Sequence, residues 1–213
     1  MIKREIEING KTLRISTGQV AKQAAGSVLV SYGETTIIAA VNAAKEMRED
    51  IDYFPLQVEY RERHYAGGKI PGGFFKREAR PAEREILTCR LTDRPIRPLF
   101  PKSFKYETQV IITVLSTDGE NPADVLAGVG ASAALMISNI PWNGPIATVR
   151  VARVDDNFIV NPTKEEMEDS SLELVVSGNS ETIVMVEGEA DVIPENVFVD
   201  ALKFAHEDIK KII

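Results

Sequence analysis

Four adjacent side chains, Phe74-Phe75-Lys76-Arg77, set two flat apolar rings beside two cations. They follow Gly67-Gly68-Lys69-Ile70-Pro71-Gly72-Gly73, a run whose glycines and proline do not form a regular element. On a loop of this kind rings can stack on unpaired bases while cations pair with phosphates, which is the chemistry of single-stranded nucleic-acid binding. The alternative is that the phenylalanines anchor the loop to the core and the charges are merely solvated. Composition leaves both readings open.

The tetrad lies within Tyr60–Lys105, where twelve Lys/Arg face five Asp/Glu in a chain of net charge −7. A cationic island in an acidic protein says where a polyanion could dock. Arg80, Arg94 and Arg97 belong to the same island.

Other chemistry is sparse. Two histidines and one cysteine give no metal-ligand spacing, and a lone Cys89 excludes an internal disulfide and fits a reducing compartment. His64 reads as a structural or surface residue and His206 as solvated among acids. The acidic run Glu165–Asp169 reads as a solvated face. Asp118-Gly119-Glu120-Asn121-Pro122 precedes a helix, and a helix N-terminus can bind an anion. Glu120 and Asp124 would repel phosphate there, so Asp118 or Asn121 reads as a cap. No catalytic constellation and no metal site are expected.

The elements that must position the island follow from periodicity. Ile2–Ile15 predicts a hairpin about Asn9-Gly10. Ser27–Tyr32, Thr35–Asn42 and Leu56–Tyr60 predict further strands, giving a β-meander, with a charged loop over Lys45–Asp50. Pro81 opens a helix that turns Ile86, Leu87 and Leu91 to one face and is broken by Pro95. Gln109–Leu115 reads as a strand buried on both faces. Ala123–Ser138 reads as a small-residue helix packed closely on a sheet. Strands at Ile146–Val154, Ser171–Ser177 and Glu181–Glu187 precede an amphipathic helix over Glu195–Ile213. The fold class is α+β, with mixed sheets packed against helices, in one domain whose parts span 1–142 and 143–213. No apolar run is long enough to span a membrane and no signal peptide is evident, so a cytoplasmic protein is expected.

The run YRERHYAGGKIPGGFFKREARPAEREILTCRLTDRPIRPLFP resembles the first RNase PH-like core of the bacterial polynucleotide phosphorylase family. The likeness continues through the strand-loop-helix at 109–138, Gly178-Asn179 and GEADVIPE, covering essentially the whole chain. It implies an enzyme that degrades RNA from the 3′ end with phosphate, releasing nucleoside diphosphates, and that assembles as a trimeric ring with a second RNase PH-like core in the same polypeptide. It implies that Phe74, Phe75, Lys76 and Arg77 hold single-stranded RNA in the channel, with a buried anchor as the alternative for Phe74. Arg80 is a secondary RNA contact. Arg94 and Arg97 contact RNA phosphate or pair with acids, and the prolines around them favour the structural role.

The family's phosphorolytic site lies in the second core, with a serine-rich turn, an Asp-x-Asp-x-Lys strand and an arginine pair. The corresponding residues here are Asp118–Pro122, Ser171-Leu172-Glu173-Leu174-Val175 and Glu83-Arg84. These departures imply a core without its own phosphorolytic site, with Mg²⁺ held elsewhere in the parent enzyme. A purely structural ring scaffold and a stand-alone RNase PH-like enzyme are the alternatives.

Overall fold

The computed structural model describes residues 1–47, 51–77 and 80–213. The first half runs β1 (Ile2–Ile8), β2 (Lys11–Thr17), β3 (Gly26–Tyr32), β4 (Thr35–Ala43), β5 (Leu56–Glu62), α1 (Glu83–Ile96), β6 (Thr108–Ser116) and α2 (Asp124–Met136). The second runs β7 (Ala147–Val154), β8 (Asn157–Val160), α3 (Lys164–Glu168), β9 (Leu172–Gly178), β10 (Ile183–Ala190) and α4 (Glu195–Ile212). The strands build a six-stranded sheet, β1-β2-β3-β4-β6-β5, and a four-stranded sheet, β10-β9-β7-β8. The α+β class expected from the sequence is what the chain adopts. None of the helices among the described residues is long and apolar enough to cross a membrane. The charged loop expected over Lys45–Asp50 lies outside the described residues from residue 48 onward.

Asn9 and Gly10 both take positive φ, 48° and 69°, as a two-residue turn between right-twisted strands requires. The meander holds through β4 and fails at β5. There β6 takes the place beside β4, and β5 pairs parallel to β6, Leu56↔Thr108 through Glu62↔Val114. Parallel neighbours cannot be joined by a tight turn. The crossover between them carries the glycine loop and α1.

The expectation that β6 is buried on both faces is corrected. Val110 and Ile112 are fully buried, but Ile111 and Leu115 on the opposite face are 42% and 37% exposed. β-Branched residues on both faces mask the two-residue period in the sequence. Helix α2 covers the inner face only, and it packs on two sheets where one was expected. A Cβ at Gly130 would lie 3.0 Å from the Ala39 Cβ of β4, and one at Gly128 would lie 2.2 Å from Thr148 Oγ1 of β7. The small residues of this helix are what let both sheets approach it.

Helix α1 departs most from expectation. Its inward residues are Glu85, Thr88, Thr92 and Ile96, whereas Ile86 and Leu87 are 49% and 45% exposed. The reason is that α1 lies along the edge of the sheet, where β5 presents unpaired backbone groups. Glu62 N donates to Glu85 Oε1 (2.8 Å) and Tyr60 N donates to Cys89 Sγ (3.1 Å). Four helical residues rise about 6 Å and two strand residues about 6.6 Å, so the two periods match. Arg97 completes the edge by donating to the carbonyls of Phe54 (3.0 Å) and Leu56 (3.1 Å). Pro95 does not break the helix, which runs to Ile96 and then into a 3₁₀ turn, Arg97–Leu99. Pro81 precedes the N-cap, Ala82, instead of occupying the first turn. In α4, His206 is not solvated as expected: Nε2 donates to the Asn179 carbonyl (2.9 Å) and ties the helix to the β9–β10 turn.

Candidate nucleic-acid interface

The loop between β5 and α1 leaves the sheet after Glu62 and rejoins the fold at Ala82. Two short 3₁₀ turns, His64–Gly67 and Phe74–Lys76, give it local shape. Its first turn is tied to the body where Thr117 N donates to the Ala66 carbonyl (3.0 Å). Phe74 and Phe75 are 86% and 87% exposed, with ring centroids 5.7 Å apart in an edge-to-face pair. Neither ring anchors the loop, so the buried-anchor reading of Phe74 is corrected. Bare rings on a loop are apolar surface with no ring partner but each other among the described residues. Among the described residues the side chains of Lys69, Lys76, Arg77 and Arg80 have no ion pair or hydrogen bond.

Two clefts of about 500 Å³ each flank the loop. One lies against the turn after β6 and includes His64, Lys69, Arg84 and Lys164. The other lies against the start of α1 and includes Phe75, Lys76, Arg77 and Arg80. They share a floor at Glu62, whose carboxylate pairs with Arg84 (2.8 Å) and accepts from Tyr60 Oη (2.8 Å). Burial, then the Glu62 carboxylate, push the Tyr60 phenol far above its ordinary value, so it remains a donor. The clefts are therefore cationic at the mouth and fixed at the floor.

The turn after β6 supplies its own anion. Asp118 accepts from Asn121 N (2.8 Å), Glu120 N (2.9 Å), Asn121 Nδ2 (2.7 Å), Glu34 N (3.1 Å) and Thr35 Oγ1 (3.0 Å). Partial burial alone would raise its pKa, but the hydrogen bonds from Asn121, Glu120 and Glu34 outweigh it and hold Asp118 at about 2. Lys11 closes the set on Asn121 Oδ1 (2.8 Å). Asp118 thus closes this turn and does not cap the helix as expected, since the N-cap of α2 is Ala123 with no side-chain acceptor; two amides that could meet a phosphate already meet a carboxylate.

Asp124 does not face the site as a free charge. Arg150, with its side chain 11% exposed, pairs through one guanidinium nitrogen with Asp124 (2.5 Å) and through the other with Glu173. The acid matched by resemblance to the metal-binding strand is therefore neutralised by an internal cation. These residues do not fit a resident Mg²⁺, which needs a carboxylate free to bind it. Among the described residues no group of three His, Cys, Asp or Glu could hold a metal ion.

The structure brings Phe74, Phe75, Lys76, Arg77 and Arg80 to one rim and leaves Arg94 and Arg97 away from it. Arg97 forms a two-point pair with Asp93 (2.6 and 2.8 Å) besides its two carbonyl contacts. Arg94 pairs with Glu187 of β10. Sequence reasoning missed Glu62 and Lys164 at the clefts and the buried Tyr60 that holds Glu62. The alternation of β5 could have placed Tyr60 inward, but nothing in the sequence brings Lys164 beside the loop.

One mixed and one antiparallel sheet sharing one small-residue helix, with a basic loop on a parallel crossover, define a class. The chain belongs to the 3′ exoribonuclease family: the model of its domain 1 matches residues 9–141 and that of its domain 2 residues 144–208. Within the family the chain is similar to polyribonucleotide nucleotidyltransferases. It is 54% identical to that of Thermomicrobium roseum over 99% of this chain and 27% of the relative, and 53% identical to that of Thermus thermophilus over 98% and 29%. It spans less than a third of the length of these relatives. The same fold is found in an Archaeoglobus fulgidus exosome with RNA bound to the active site (TM-score 0.73, 19% identity, 92% of this chain and 85% of that one). It is found again in an archaeal exosome core (TM-score 0.71, 20% identity, 93% and 83%).

Proposed function

We propose that the chain is the first core of a 3′-to-5′ phosphorolytic exoribonuclease, holding single-stranded RNA and contributing to ring assembly while the phosphorolytic step occurs elsewhere in the enzyme. The observation that carries this reading is the pairing of two bare rings, Phe74 and Phe75, with cations that have no partner among the described residues. The rings stack on bases, and Lys76, Arg77 and Arg80 neutralise phosphates, without reading sequence. The filled turn at Asp118 and the Arg150 pairing at Glu173 support a core that does no phosphorolysis of its own. In this reading Mg²⁺ is held outside the core, the assembly is a homotrimer containing a second RNase PH-like core, and the compartment is the cytoplasm. Exposed Ile86, Leu87, Ile111 and Leu115 support the assembly role, because a sheet face and a helix face carry apolar residues that this chain leaves uncovered.

The test is anisotropy of a labelled single-stranded RNA with the wild-type chain and with Phe74→Ala/Phe75→Ala, with phosphate and Mg²⁺ present and nucleoside diphosphate followed in parallel. Binding that the variant weakens, without diphosphate, is expected. Diphosphate release overturns the non-catalytic assignment. Absence of binding in the wild type leaves the scaffold role alone.

A further inference from the structure

Glu85 sits on the third position of α1, where a carboxylate commonly reaches back to the N-cap amide. It does so here, with Oε2 accepting from Ala82 N (2.6 Å), but Ala82 has no side-chain acceptor to reciprocate. The other oxygen does something that capping does not require. Oε1 crosses to the sheet and accepts from Glu62 N (2.8 Å). Glu62 is the last residue of β5 and Ala82 the last before α1, so one carboxylate joins the two ends of segment 63–81. That segment carries Lys69, Phe74, Phe75, Lys76, Arg77 and Arg80.

We propose that Glu85 is the positioning residue of the RNA-holding loop, its carboxylate clamping both ends so that the loop cations face one strand as a set. The inference rests on the RNA-holding reading of that loop. Glu85 is 9% exposed and lies in the wall of the cleft that holds Lys76, Arg77 and Arg80. Burying a carboxylate is unfavourable unless its oxygens are met, and here both are met by backbone donors, one at each end of the loop. Between the clamped ends, the hydrogen bond at Ala66 ties the loop's first turn to the body, and Ile70 beyond it is 90% exposed. The direction in which the loop leaves the sheet is therefore set at its base.

The experiment compares the wild-type chain with Glu85→Gln, which keeps the shape but leaves one acceptor oxygen for two amides. Hydrogen exchange of the Glu62 and Ala82 amides is read beside that of core amides such as Ile112, and affinity for labelled single-stranded RNA is measured across salt. One of the two base amides is expected to exchange about tenfold faster while Ile112 is unchanged. RNA affinity is expected to fall about tenfold, with a shallower salt dependence because fewer cations act together. Glu85→Asp is the companion variant: it retains both oxygens on a shorter arm and recovers part of the salt dependence, which a purely structural role would not produce. Unchanged exchange at both amides overturns the clamp. Faster exchange with unchanged affinity and salt slope overturns the positioning role. A wild-type chain that binds no RNA removes the RNA-holding reading and this inference with it, while the exchange data still report separately on the clamp.

Discussion

Replacing Lys76 and Arg77 together by alanine reads out the electrostatics of the loop directly. Four loop side chains, Lys69, Lys76, Arg77 and Arg80, have no partner among the described residues, so none must break an ion pair to meet a phosphate. On a single strand each neutralised phosphate adds about 0.7 to the slope of log affinity against log salt, so four give about 2.8 and two give about 1.4. Between about 50 and about 200 mM salt, the wild type then loses about 50-fold in affinity and the variant only about 7-fold. Anisotropy titrations with a short labelled oligonucleotide at several salt concentrations measure both slopes. Because both side chains sit on an exposed loop tip, the variant's urea midpoint should match the wild type. Equal slopes for the two proteins would refute the argument, whatever the absolute affinities.

Three further outcomes follow from the geometry. Asp118, held at about 2 against an ordinary 3.8, adds stability that is complete above pH 3.8 and is lost as pH falls towards 2. Asp118→Asn should therefore be less stable than wild type at neutral pH and lose less on acidification through that window, read by urea denaturation at each pH. Arg97→Lys removes the two-point pair with Asp93 and the fork onto Phe54 and Leu56, and should cost about 1–2 kcal/mol with RNA affinity unchanged; weakened binding at equal stability would assign Arg97 to RNA instead. Arg150→Met leaves Asp124 and Glu173 without their cation and should destabilise by about 3 kcal/mol, with most of that recovered when both acids become amides.

Much of the fold was legible because alternation and turn chemistry are local. Asn9-Gly10 marks its hairpin, and the period of Ala201, Ala205 and Ile209 marks the buried stripe of α4. What the sequence hid was long-range. Whether β6 or β5 lies beside β4 depends on a crossover that no local pattern records. Helix periodicity normally points apolar residues at a sheet face, whereas α1 serves a sheet edge and turns acceptors inward. Phe54, Phe100, Phe104 and Trp142 gather into one aromatic cluster although they come from three separate stretches of chain. At the site, the composition of the loop could be read, but not its exposure. The phenylalanines were compatible with an anchor until both proved bare. Asp118 and Glu173 were legible as acids, while the Glu34 amide and Thr35 hydroxyl that join the local amides on Asp118, and the Arg150 guanidinium on Glu173, come from other parts of the chain.

The position of β6 between β4 and β5 also bears on the order in which the sheet can assemble. Strands emerge from synthesis in one order and must stand in another, so β4 and β5 are both available before the strand that belongs between them. A direct pairing of β4 with β5 would close that gap and shut β6 out. Helix α1 limits β5 to pairing on one side by taking up its outward amides through Glu85 and Cys89, contacts that span fewer than thirty residues of chain. Loop-closure entropy favours such nearby contacts over the union of β4 with β6, which must bridge the whole intervening crossover. The helix that frames the basic loop in the finished protein is thus also the element that leaves β5 one edge to offer, and β6 is the strand that fits it.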